Sequence, residues 1–260
     1  MIATSYLGKP ASRIDGRAKV TGLAKYAAEY NVPGLAHGVV VSSAIAKGRI
    51  KRIHTADALS VDGVLDVFTH EHRPKLASSH EKYTDEVAPS GSPFRPLYDD
   101  KILFSGQPVA LVVAEEFEIA RFAASLIRVE YERKPHVTDF DAQRERGAIS
   151  KRDPTNSVAR GNPTPAFEQA AVRIEAEYRM PVEHHNPMEP FAATAVWEGD
   201  DRITVFDKTQ GPQNCRNYVA GVFGMPRDKV RVLSPYVGAD LDPGCARNMS
   251  CRSPCWPRAH

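Results

Sequence analysis

Six consecutive apolar residues, Val109-Ala110-Leu111-Val112-Val113-Ala114, set the strongest constraint on how this chain folds. A run of that length, rich in valine, reads as an apolar strand. Gly106-Gln107-Pro108 precedes it as a turn. Residues 115–128 follow with helical spacing, placing Phe117, Ala120, Ala124 and Ile127 on one face. Residues 128–132 then read as another strand, and strand, helix, strand in that order suggests an α/β layer. The Gly-Gln-Pro turn lacks the spaced glycines that let a backbone approach pyrophosphate, so its role is structural.

Elsewhere the same logic marks strands at 35–43, 50–54 and 64–68, the last after an Asp62-Gly63 turn. Thr55 is a candidate N-cap for a short helix over 56–59. Residues 73–100 show no period and read as a long loop, a binding or interface excursion. Residues 143–165, rich in Arg, Asn, Pro and Gly, form the best linker. Beyond it, the alternation over 172–179 predicts a half-exposed strand. Strands at 192–198 and 203–206 flank the turn Gly199-Asp200-Asp201. A helix over 213–223 stops at Gly224, and a strand follows at 230–233. No internal repeat is visible.

Composition narrows the class. With 42% hydrophobic and 25% charged residues the chain is an ordinary globular one rather than a disordered one. A net charge of +2 gives no case for nucleic acid or acidic membranes. No apolar run approaches the roughly 18–20 residues of a membrane-spanning helix. Residues 1–13 lack the basic segment and apolar core of a secretory signal, which predicts a cytoplasmic chain, with export beside a signal-bearing partner as the alternative. Cys215 alone precedes residue 245, which fits a reducing compartment.

Three stretches together resemble one family. Residues 13–26, Arg-Ile-Asp-Gly-Arg-Ala-Lys-Val-Thr-Gly-Leu-Ala-Lys-Tyr, look like the opening of the a/b hammerhead domain of molybdenum hydroxylases. The Gly106–Glu115 stretch is similar to that domain's second signature. Pro187-Met188-Glu189-Pro190, Ala195-Val196-Trp197, Thr209-Gln210-Gly211-Pro212-Gln213 and Ser234-Pro235-Tyr236-Val237-Gly238 look like the start of a molybdopterin-binding domain. In order and combination they resemble the molybdenum-binding subunit of the xanthine dehydrogenase/aldehyde oxidase family, of the bacterial aldehyde or isoquinoline oxidoreductase type.

The resemblance implies an α+β fold. A hammerhead domain at 12–142 and a linker at 143–165 would precede an incomplete first part of the cofactor domain at 166–238. It also implies a molybdenum–molybdopterin cytosine dinucleotide cofactor that hydroxylates aldehydes or N-heterocycles with oxygen from water. Electrons would leave through an iron–sulfur subunit, sometimes joined by an FAD subunit. The family's general base, a glutamate, would lie far past residue 260, so the chain alone is expected to be inactive.

Gln210 and Gly238 are the candidate cofactor-binding residues. A side-chain amide can donate a hydrogen bond to a metal oxo group without adding charge, and Gln210 stands before a Gly-Pro break that presents it at a loop end. The plainer alternative is an amide capping the following helix. Glu183-His184-His185 with Glu189 fits no zinc spacing, and two prolines preclude a regular helix there, so these residues read as a loop ordered by hydrogen bonds. Ser42-Ser43 lacks a nucleophile-elbow pattern.

After Gly238 the resemblance implies two more glycines, a phenylalanine and a further glycine, a backbone turn beside the cofactor. Residues 239–260 depart from that abruptly, gathering Cys245, Cys251 and Cys255 with Arg, Pro and Trp256. One permitted choice of codons, read from the third base of codon 239, gives Gly-Phe-Gly-Ser-Gly and then a helix-like apolar run. A one-base frameshift near Ala239 followed by early termination accounts for this tail, which is then expected to be disordered. The rival, a metal knuckle of the three cysteines with His260, lacks the usual close Cys pair. Two non-catalytic alternatives remain: an interaction module that docks an iron–sulfur partner, and a pseudogene product.

Overall fold

A computed structural model of the chain describes residues 8, 10–84, 94–144, 161–181 and 187–238. The tail at 239–260, the linker's centre and Glu183-His184-His185 lie outside the described residues. The chain divides into two compact units, one of residues 1–135 with 185–260, the other of residues 136–184.

In the larger unit, β5 (Pro108–Ala114) is the centre of a three-stranded sheet. It pairs antiparallel with β1 (His37–Ser42) on one side and β3 (Val64–Thr69) on the other. Its apolar run has a direct cause. Side chains alternate across a strand, so Val109 and Val112 point to opposite faces. Val109 joins a core cluster with Ile45, Ile50 and Ile102, while Val112 joins Ala58, Val67 and Ala123. A strand covered on both faces has no position left for a polar residue.

The second sheet orders β4 (Lys101–Ile102), β2 (Gly48–His54) and β6 (Arg128–Arg133), all antiparallel. This corrects the α/β-layer expectation. The helix α3 (Phe117–Leu126) connects β5 to β6, but those strands belong to different sheets, so no parallel crossover forms here. The buried face of α3 is also set differently. Ala120 and Ala123 are its buried residues, while Phe117 is 47% exposed, its ring edge-on to His37 at 6.4 Å. The short helix α2 (Ala56–Leu59) forms where expected, but Thr55 makes no side-chain cap bond. Gln107 confirms the structural role of its turn: its side chain donates to Lys101 O at 2.6 Å and accepts from Leu103 N at 2.8 Å.

The third sheet orders β7 (Ala193–Glu198), β8 (Arg202–Asp207) and β9 (Val230–Leu233). β7 and β8 form an antiparallel hairpin, whereas β8 and β9 run parallel, linked by the helix α6 (Pro212–Phe223). Gly224 ends α6 in the left-handed conformation, φ 67°, where a glycine carries no Cβ penalty. The apolar face of α6 buries Cys215, Tyr218, Val219 and Val222 against Ile203, Val205 and Val230.

The long loop after β3 enters this last core. Its residues 80–83 form a 3-10 turn, and Tyr83, wholly buried, packs with α6 while donating its hydroxyl to Ala77 O at 2.8 Å. Ala77 N in turn donates to Val222 O at 2.9 Å. The described part of the loop therefore joins the first two sheets to the third.

In the smaller unit, α4 (Phe140–Arg144) and α5 (Pro163–Glu168) are short. The strand expected at 172–179 does not form. That segment carries no ladder among the described residues, and Ile174 and Tyr178 are 81% and 89% exposed. Alternation makes a strand possible, but a partner edge is what stabilises it. Ion pairs such as Arg179–Asp141 at 3.6 Å and Arg144–Glu177 at 3.8 Å are exposed and contribute little.

Candidate functional site

Parallel strands joined by a helix end on one edge of their sheet, and ligands bind outside such carboxyl ends. Here β8 and β9 pair Phe206 with Leu233 as the last register position, so the loops that leave them emerge side by side. The first carries Gln210 and the second Gly238. Sequence reasoning had singled out both residues, and the fold brings their two loops to the same edge.

Gln210 is exposed, next to Gly211 and Pro212 at the start of α6. Gly211 N donates to Thr209 Oγ1 at 3.1 Å, so the helix start is supported by Thr209. Thr209 N also approaches Ser234 Oγ at 3.3 Å, which joins the two loops directly. Gly238 is buried. A Cβ at this position would lie 2.6 Å from Glu189 Cβ and 3.0 Å from the Tyr26 ring, so only glycine permits this approach.

The fold adds residues that the sequence did not single out for the site. Glu189 is 1% exposed, and its carboxylate accepts Gly238 N–H at 2.8 Å and Ala27 N–H at 3.2 Å. Ala27 O accepts the Thr194 hydroxyl at 2.8 Å, and the Tyr30 ring stacks on Phe206 at 3.8 Å. Burial, with smaller contributions from Tyr236 and Glu29, pushes the Tyr30 phenol above its ordinary pKa. Lys208 is wholly buried; its Nζ donates to Glu189 O at 3.0 Å and sits 4.2 Å over the Phe191 ring. Beside it, Asp207 accepts from Cys215 Sγ at 3.5 Å. Burying ionised groups is costly unless they are hydrogen-bonded, and these are. In sequence, Asp207 and Lys208 look like the solvated charges that usually close a strand. Glu189 sat in a recognised motif, but nothing there marks a buried acceptor.

Glu189 thus bonds to the backbone of Ala27 and Gly238, while Glu183, His184 and His185, read with it in sequence, lie outside the described residues. No group of three His, Cys, Asp or Glu side chains able to hold a metal occurs among the described residues. No helix among them is long and apolar enough to cross a membrane. A cleft of about 520 Å³ beside α6, lined by Lys82, Asn217 and Arg227, contains none of the edge residues.

Comparison with known proteins now bears on this geometry. Residues 21–135 match the family model "Aldehyde oxidase and xanthine dehydrogenase, a/b hammerhead domain". Residues 149–239 match the "Molybdopterin cofactor-binding domain". The aldehyde oxidoreductase molybdenum-binding subunit PaoC of Escherichia coli is 38% identical over 235 residues, 89% of this chain and 30% of the relative. A xanthine dehydrogenase molybdenum-binding subunit from Escherichia coli is 31% identical over 233 residues, 87% of this chain and 31% of the relative. Among solved structures, quinoline 2-oxidoreductase from Pseudomonas putida 86 superposes with a TM-score of 0.71 at 28% identity, covering 89% of this chain and 30% of that one.

Hammerhead sheets followed by the first part of a molybdopterin-binding fold define the class, that of the molybdenum-binding subunits to which the chain is similar. The chain belongs to the xanthine dehydrogenase/aldehyde oxidase family. It spans about 30% of the length of these curated relatives.

Proposed function

We propose that residues 12–142 are the hammerhead domain, 143–165 a linker and 166–238 the opening part of the cofactor domain of a subunit that hydroxylates aldehydes or N-heterocycles with water-derived oxygen. The cofactor is molybdopterin cytosine dinucleotide with molybdenum. The observation that carries this reading is the shared edge of β8 and β9, where the Gln210 and Gly238 loops meet.

The residues present fit such a group. Gln210 brings an exposed amide on a loop that the Thr209 N–H to Ser234 Oγ bond ties to the loop ending at Gly238. When bound, the cofactor supplies the redox centre at which substrate is oxidised. This chain's own part is to bind and orient. Gln210 would offer a neutral hydrogen-bond donor to the cofactor, and the loop ending at Gly238 would supply backbone to it. Its partners would be an iron–sulfur subunit that receives the electrons and, in some assemblies, an FAD subunit. We assign the chain to the cytoplasm, or to the periplasm if it is exported with a signal-bearing partner.

We also infer that residues 239–260 are read out of frame. The match to the cofactor-domain model ends at residue 239, where the composition changes, and this supports the inference. The chain as it stands is then expected to hold no stoichiometric molybdenum and to oxidise no aldehyde. One molybdenum per chain with turnover would overturn that expectation, and sequencing the gene through codon 239 tests the frame itself. In the frame-restored protein, copurification with an iron–sulfur subunit is expected. There Gln210→Ala should lower kcat/KM about 10–100-fold with an unchanged melting temperature. Full activity, or loss of fold, would remove the assignment.

A further inference from the structure

We propose that Glu189, with Lys208 beside it, is the positioning clamp that sets the Gln210 and Gly238 loops in place before any cofactor arrives. The proposal rests on the functional reading above for what those loops hold, but its geometry is independent of it.

Four segments meet at Glu189. Its carboxylate takes Gly238 N–H on Oε2 at 2.8 Å and Ala27 N–H on Oε1 at 3.2 Å. Its own N–H reaches Gly238 O at 3.4 Å, so residues 189 and 238 are bound twice. Its carbonyl accepts Lys208 Nζ at 3.0 Å, which ties in the loop that carries Gln210 two residues later. Lys208 also rests on Phe191, holding the 189–191 turn from a second point. Glu189 is 1% exposed and Lys208 wholly buried, so water cannot substitute for either.

The residue type matters. An ionised carboxylate is acceptor-only, with two oxygens that can each receive a backbone N–H. Glutamine at 189 has nearly the same shape but offers one acceptor; its amide nitrogen would face the second N–H. Aspartate keeps both acceptors on a shorter arm. A packing role ranks glutamine as the milder change, whereas a clamp ranks aspartate so.

Hydrogen exchange on the full chain without cofactor reads this directly. In Glu189→Gln the amides of residues 26–28, 234 and 236–238 are expected to exchange about tenfold faster or more, while those of 37–42 and 109–114 are unchanged. Glu189→Asp should recover at least half of the lost protection. Lys208→Met should loosen residues 207–211 in the same local way. The proposal fails if exchange at 234 and 236–238 is unchanged, if it rises equally in β1 and β5, or if aspartate is no better than glutamine. Should Glu189→Gln not fold, Gly238→Ala presses on the same contact from the other side, and unchanged exchange at 26–28 there overturns the clamp. Local loosening in a frame-restored protein that never takes up molybdopterin would refute the functional reading and leave the clamp standing.

Discussion

The strands β5 and β8 are both the middle member of a three-stranded sheet, yet they end in opposite ways. β5 is apolar throughout its core and runs out into exposed Glu115 and Glu116. β8 is buried through Ile203, Thr204 and Val205 and then continues into buried Asp207, Lys208 and Thr209 before Gln210 surfaces. The first arrangement is what burial of apolar area alone produces. The second spends hydrogen bonds to keep charged groups out of water, which a fold has reason to do only where a backbone must be held in one conformation. The difference separates scaffold from candidate site.

Three measurements can break or sharpen this contrast. The largest effect is expected from Tyr83→Ala, which empties a wholly buried ring position in the third-sheet core. Denaturant unfolding should show a loss of about 3–5 kcal/mol. A loss below about 1 kcal/mol would mean that the β8 sheet does not lean on the hammerhead loop at all. A middling effect is expected from Thr194→Val, which leaves Ala27 O without the hydroxyl it accepts. About 1 kcal/mol should be lost, with faster amide exchange near residue 27. No change would weaken the view that hydrogen bonds hold this edge.

The smallest effect belongs to the scaffold's surface. Arg49 grips Asp100 with two bonds of 2.8 and 2.9 Å. The Arg49 hydrogen bond, aided by its charge, holds the Asp100 carboxyl below its ordinary range. A depressed carboxylate stabilises the fold above its unfolded pKa of about 3.9 and loses that contribution as pH falls through its folded value. Asp100→Asn should therefore lower the melting temperature slightly at neutral pH, and the gap from the parent should close on acidification through that window. A gap that persisted at low pH would assign the effect to packing.

Much of the scaffold was legible in the residues, for physical reasons. β1, β2, β3, β5, β6, β7, β8 and β9 all fall on stretches whose period or apolar run announced them, and Gly224 stops α6 as its position foretold. What escaped were consequences of tertiary partnership. The 172–179 alternation has no ladder to join among the described residues, and sheet membership sent β5 and β6 apart. In the site, the meeting of the Gln210 and Gly238 loops follows from two strands with a helix between them, which sequence order displays. The clamp residues do not follow, because a glutamate between prolines and a lysine after a strand look the same whether they are solvated or buried.

The insertion of Tyr83 into the α6 core also has a consequence in time. On the ribosome, β1 to β6 are complete once residue 133 has emerged, but α6, which packs on Tyr83, is not complete until residue 223. At typical synthesis rates that interval is on the order of 5–20 s. Throughout it the nascent chain holds out an uncovered aromatic turn, with Leu76 and Ala77 beside it, that only its own later sequence can cover. A delay or error between those two points would leave that surface for chaperones to find.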